Sequence, residues 1–256
     1  MNDSQIPGGA QPRQIKLDLV AKQFMSRLQR HFDLLAFNLA AQETMQESAY
    51  DTCVNATRVM PFVPHHQNFE QLQAYARDLL VRQVVNDSLN LAMTAMNNVH
   101  LFLALLKATG ANHQVHPNVQ KEAHATQMSF IRARLDEKFN RLEKDYGVMC
   151  ELEDSITALG FILQILVKQG GVVKKEQLDK DGKITLELKS VKLQKGDSIS
   201  NIPADKLTIV SKVYHEDDVI IFEDIELQLI LITIASFADS LFKSVIEYAR
   251  SVKKDV

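Results

Sequence analysis

The stretch NFEQLQAYARDLLVRQVVNDSLNLAMTAMNNVHLFLALLKATG, residues 68–110, decides the fold. From Asn68 to Thr109 it contains neither glycine nor proline. Leu80, Val84, Leu91, Ala95, Phe102 and Leu106 recur at helical spacing. Leu72, Ala76, Leu79, Gln83, Asn86, Asn90, Met93, Asn97 and His100 fall on a neighbouring face. The spacing predicts one long helix that Gly110 ends.

Working outward, the chain before this stretch shows the same habit. No glycine or proline occurs from Ile15 to about Arg58, and Leu17, Val20, Phe24, Leu28, Phe32, Leu35 and Leu39 form one stripe. Pro61 and Pro64 separate the two helices. After Gly110, a third helix is predicted from about Pro117 to Tyr146 and a fourth from about Cys150 to Lys168. Met128, Ile131, Leu135, Phe139, Leu142 and Tyr146 form the apolar stripe of the third. Then the period changes. KITLELKSVKL, residues 183–193, alternates like a strand, and LTIVSKVY, residues 207–214, is a second strand. The Asp181–Gly182 pair ahead of them is a turn signal. From about Phe222 to Val252 the helical pattern returns.

The expected fold is therefore mainly α: a bundle of long antiparallel helices with a small antiparallel β insertion before the C-terminal helix. Residues 1–14 read as a flexible tail, 15–168 as the bundle, 169–216 as the insertion, and 217–256 as a helix packing back on the bundle. Nine glycines and six prolines in 256 residues agree with a helical chain.

Composition limits the function. A net charge of -3 gives no global attraction to nucleic acid or anionic lipid. Arg132, Arg134, Lys138, Arg141 and Lys144 are interleaved with Asp136, Glu137, Glu143 and Asp145, a mixture that argues against a nucleic-acid face. Two cysteines, Cys53 and Cys150, point to reduced thiols and a cytoplasmic setting. The most apolar run, Leu227–Phe242, is short for a bilayer span and reads as a buried helix.

Candidate chemistry is sparse. HQVHPNVQKEAH, residues 113–124, groups His113, His116 and His124 with Glu122. Zinc needs three or four converging ligands. Here Pro117 places His113 and His116 in a connection, and Glu122 and His124 diverge on the next helix. A solvated polar loop accounts for the same residues. QLDKDGKITLEL, residues 177–188, resembles a calcium loop about Gly182, but Gln177 and Leu188 occupy its first and twelfth positions, where oxygen donors are required. Glu216, Asp217, Asp218, Glu223, Asp224 and Glu226 cluster where the last helix begins, and negative charge is favoured there. No phosphate loop, dinucleotide fingerprint or Glu-x-x-His pair occurs, and no cofactor is implied.

A polar stripe on the second helix holds Asn86, Asp87, Asn90, Thr94, Asn97, Asn98 and His100. It lines a ligand cleft, bonds across an interface, or faces solvent. Asp87, Asn90 and Asn97 are the residues it offers for binding.

RVMPFVPH, Arg58 to His65, places six residues between an arginine and a histidine. This segment resembles the Arg-x(4–6)-His motif of HEPN domains, helical proteins that often dimerise and some of which are ribonucleases. The resemblance covers eight residues. It implies Arg58 stabilising a phosphate transition state and His65 as general acid or base, in a defence or toxin setting.

Size supplies a further expectation. A straight helix of about 43 residues is ~65 Å long. A compact domain of this length is roughly 45 to 50 Å across. Apolar surface beyond the chain's own partners is commonly covered by a second copy. The leading expectation is thus a non-catalytic protein-interaction module acting as a homodimer, with a protein partner.

Overall fold

The computed structural model describes residues 16–57, 68–109, 117–191 and 207–254. Among them the chain is mainly α, with seven α-helices and one two-stranded antiparallel sheet ahead of the last helix.

The first predicted rod is two helices. Helix α1 spans Leu17–Thr44 and buries Val20, Phe24, Leu28 and Leu35. It ends without glycine or proline: Thr44 Oγ1 bonds back to the Ala40 carbonyl at 2.9 Å, and Met45 turns extended at ψ 128°. A hydroxyl bonding to the preceding turn loosens the helical ladder. The Gln46 carbonyl then opens α2, Glu47–Thr57, by accepting from Ala49 and Tyr50. The expectation of one continuous helix over this stretch is therefore corrected.

Helix α3, Phe69–Thr109, is continuous over 41 residues, or about 60 Å of axis. Asn68 caps it: its Oδ1 accepts from the Gln71 amide at 2.9 Å. The face carrying Leu80, Val84, Leu91, Ala95 and Leu106 is the buried one, joined by Val85, Leu89, Ala92, Met96, Val99 and Leu103.

The third predicted helix is also broken, into α4 (Pro117–Arg132) and α5 (Leu135–Tyr146). Arg134 is extended between them. Gly147, left-handed at φ 64°, ends α5, its amide bonding to the Glu143 carbonyl at 2.7 Å. Helix α6, Glu153–Lys168, follows from Leu152, which sits at φ 66° despite its side chain.

The insertion begins with a turn and not a hairpin. Asp179 Oδ1 accepts from the amides of Asp181 and Lys183, closing a loop that leads into β1 (Ile184–Val191). The Asp179 carboxylate is thus committed to that turn. Strand β2 (Leu207–Tyr214) pairs with β1 from Ile184↔Tyr214 to Val191↔Leu207. Ile184, Leu186 and Leu188 point inward and are buried, and β1 packs on α6 and α7. A short pairing of 171–173 with 217–220, which includes Val173 N–H to Asp218 O at 2.9 Å, ties the insertion's base to the approach to α7.

Helix α7, Asp224–Lys254, packs on α1, α3, α6 and β1. Leu227, Ile230, Ile234, Phe237, Leu241 and Val245 have no accessible surface. The apolar run thus lies in a longer helix than its own length suggests. By length and composition α3 and α7 are each able to cross a membrane, and half of the most apolar window of each is buried within the protein.

Candidate functional site

Three polar features stand out from the apolar packing. The first lies at the junction of α3, α4 and α5. Lys138 is buried although it is charged. Its ammonium donates to Asn97 Oδ1 at 2.9 Å, to the Ile131 carbonyl at 3.0 Å and to the Phe130 carbonyl. Those carbonyls belong to the last turn of α4, where the helical ladder runs out and, from the backbone, Phe130 receives only the Ala133 amide at 3.1 Å. A cation there also meets the negative end of the helix dipole. All three ammonium protons are used. The Phe130 ring lies 4.5 Å from Nζ. Burial, assisted by Arg141, lowers the Lys138 pKa, and Glu137 opposes the shift.

His100 completes this junction. Its ring stacks on Phe130 at 4.0 Å between centroids and meets the edge of Tyr146 at 5.8 Å. Its Nδ1 is buried without a hydrogen-bond partner. Burial holds its pKa down to about 4, so the imidazole is neutral at neutral pH. Burial also pushes the Tyr146 hydroxyl up to about 12. The group is a well-packed joint with no opening for a substrate.

The second feature is the seam between α1 and α3. His31 Nδ1 lies 3.9 Å from Asp87 Oδ2, both about one-quarter to one-third exposed. Asn38 and Gln83 lie beside them over a floor of Leu35, Val84 and Leu231. Further along, Gln23, Arg27, Thr94 and Asn98 edge the same seam. It is a shallow polar groove able to hydrogen-bond a partner's surface.

The third feature is an open cleft of about 720 Å³ between α6 and the segment leading into β1. Asp154, Thr157, Gln164, Gln169 and Lys183 line it with Phe161. Gln169 Oε1 is buried with no partner. The lining mixes both charges with an exposed ring and the apolar side chains of Ala158, Leu178 and Ile184.

The residues singled out in the sequence do not converge. Asp87 faces His31 of α1. Asn97 faces Lys138 of α5. Asn90 is exposed, its carbonyl accepting from Thr94 Oγ1 at 2.7 Å. The structure thus distributes the three residues over a seam contact, a buried joint and a solvent-facing amide. Arg58, His65, His113 and His116 lie outside the described residues. Glu122 and His124 are both exposed on α4. Among the described residues no group of three or more His, Cys, Asp or Glu side chains is placed to hold a metal. Cys53 is exposed and Cys150 half-buried, and they form no disulfide. The acidic cluster serves local structure: Glu226 Oε2 accepts from the Glu223 amide at 2.7 Å, and Asp218 Oδ2 from the His215 amide at 2.7 Å.

Sequence reasoning counted Lys138 among surface cations and left His31 aside. Lys138 had a visible signal, since it falls three residues after Leu135 and four before Leu142, inside the apolar stripe. His31 had none, because its partner is on another helix.

Compared with models of known families, with curated proteins and with solved structures, the chain matches none.

Proposed function

We propose that the protein is a non-catalytic interaction module that works as a homodimer and binds a protein partner. The observation that carries this reading is the outward face of α1. Leu19, Leu34 and Phe37 share one side of the helix, and each is more than half exposed, Phe37 at 71%. Isolated exposed apolar residues are ordinary, but several aligned on one helical face mark a contact surface. The polar seam with His31 and Asp87 runs beside Leu34, giving that face the polar border usual at an interface.

Light scattering on the whole chain at micromolar concentration tests the homodimer. The expected mass is twice 28.9 kDa. A mass of one chain at every concentration overturns it.

A further inference from the structure

The two edges of the small sheet are treated differently. On the β1 side, the Lys189 amide donates to Thr233 Oγ1 of α7 at 2.8 Å, and that hydroxyl donates onward to the Leu229 carbonyl at 2.7 Å. The β1 edge is closed by a helix. The same bond orients the other strand. The Lys189 amide points away from β2, so Lys189↔Ile209 is a non-hydrogen-bonded pair of the antiparallel ladder. Alternation then turns the N–H and C=O of Ile209, Ser211 and Val213 to the outer edge of β2. No other described strand pairs with that edge.

Sheet edges are normally guarded by lysine, proline, a bulge or a cover. Over its eight residues β2 has no proline, no glycine and one charge, Lys212. That charge is turned inward: its Nζ is 2.7 Å from Glu226 Oε2 and 2.8 Å from the Ile221 carbonyl. Ile209 and Val213, on the face away from the core, are 52% and 44% exposed. Among the described residues the edge therefore offers backbone groups that no strand pairs and apolar side chains, with its natural guard withdrawn.

We infer that β2 pairs with β2 of a second copy, antiparallel about a two-fold axis at Ser211, to make one continuous four-stranded sheet. This rests on the homodimer reading and places its interface at the β2 edge, leaving the outward face of α1 for the protein partner. The strand is self-complementary in that register. Outward-facing backbone groups of Ile209, Ser211 and Val213 meet their own kind, as the ladder requires. Ile209 lies opposite the partner's Val213, an apolar cross-strand pair on each side of the axis. Lys212 lies opposite the partner's Val210. A shift of two residues in either direction breaks both Ile209–Val213 pairs, setting Ser211 opposite the partner's Val213 or Ile209, so apolar pairing selects the register about Ser211. A foreign extended segment would satisfy the same backbone groups, but the matched pairs about Ser211 favour the second copy.

Two variants test the interface. In the first, Ile209→Glu and Val213→Glu together put like charge on the outer face where the two copies would meet, with the β1 partner of Ile209, Lys189, of opposite sign. The expected result is a fall in mass from two chains to one, with circular dichroism unchanged. A two-chain mass for this folded variant overturns edge pairing while the homodimer reading stands. A one-chain mass for the unaltered protein overturns both. The second variant is Ser211→Cys in a Cys53→Ser background, a mild change that keeps the fold. Opposed residues in such a pair have Cα atoms about 5.5 Å apart, within disulfide reach. Mild oxidation is expected to give a covalent dimer on a non-reducing gel. No cross-link from a protein that is dimeric in solution sinks the assignment.

Discussion

Lys138 of α5 holds Asn97 of α3 at 2.9 Å and, with the same ammonium, closes the carbonyl end of α4. Three helices thus meet at one buried charge. Removing it takes a donor from the Ile131 carbonyl and the Asn97 amide oxygen and leaves the Phe130 carbonyl with only the Ala133 amide, which costs more than the charge itself gains. Lys138→Met is expected to destabilise the protein by about 2 to 4 kcal/mol, and Asn97→Ala by about 1. The double variant should cost less than the sum of the two. Chemical denaturation reads all three. Additive effects would mean the two side chains are not coupled.

His100 makes the protein acid-sensitive. Its pKa is about 4 when folded and ordinarily 6.5. Between those values the unfolded chain takes up a proton that the folded chain refuses. The stability tied to this group is complete above pH 6.5, falls as pH drops towards 4, and changes no further below. The full loss amounts to about 3 kcal/mol. His100→Phe keeps a flat ring on Phe130 and removes the titration. Denaturation midpoints at several pH values should therefore show a shallower decline for the variant. Parallel curves would refute the assignment.

Leu152 adopts φ 66° at the start of α6, a conformation that costs a side-chain-bearing residue about 1 kcal/mol or more. Leu152→Ala loses packing and keeps the strain, whereas Leu152→Gly loses packing and relieves it. The glycine variant should be more stable than the alanine variant by about 1 kcal/mol, the reverse of the usual order. Thermal melts of the pair decide the matter.

Thr233 joins the sheet to the core helix. Thr233→Val preserves shape and deprives the Lys189 amide of its acceptor, at an expected cost of about 1 to 2 kcal/mol. Hydrogen exchange at that amide should accelerate, while Thr233→Ser should behave like the unaltered protein. An unchanged exchange rate in the valine variant would show that the hydroxyl does not hold the strand.

Periodicity revealed the elements because burial on one face leaves a trace in the chain. Helix α3 was legible for that reason, and β2 was legible to the residue. The break at Met45 was not, since no residue there forbids a helix and the kink is set by a hydroxyl and by what the next turn packs on. The break before Arg134 is stitched from the next helix, by the Lys138 ammonium that takes the carbonyl of Phe130, eight residues earlier. Contacts between distant segments, such as His31 with Asp87, carry no local pattern and needed the fold to appear.

The packing of α7 has a bearing on how the chain is made. Its apolar face fills the space between α1, α3 and β1, yet it follows all three in the chain and leaves the ribosome after them. Until Asp224 and the residues after it emerge, the nascent polypeptide holds an uncovered oily trough along α3. A fragment stopping at Glu223 should accordingly aggregate or recruit a chaperone during synthesis.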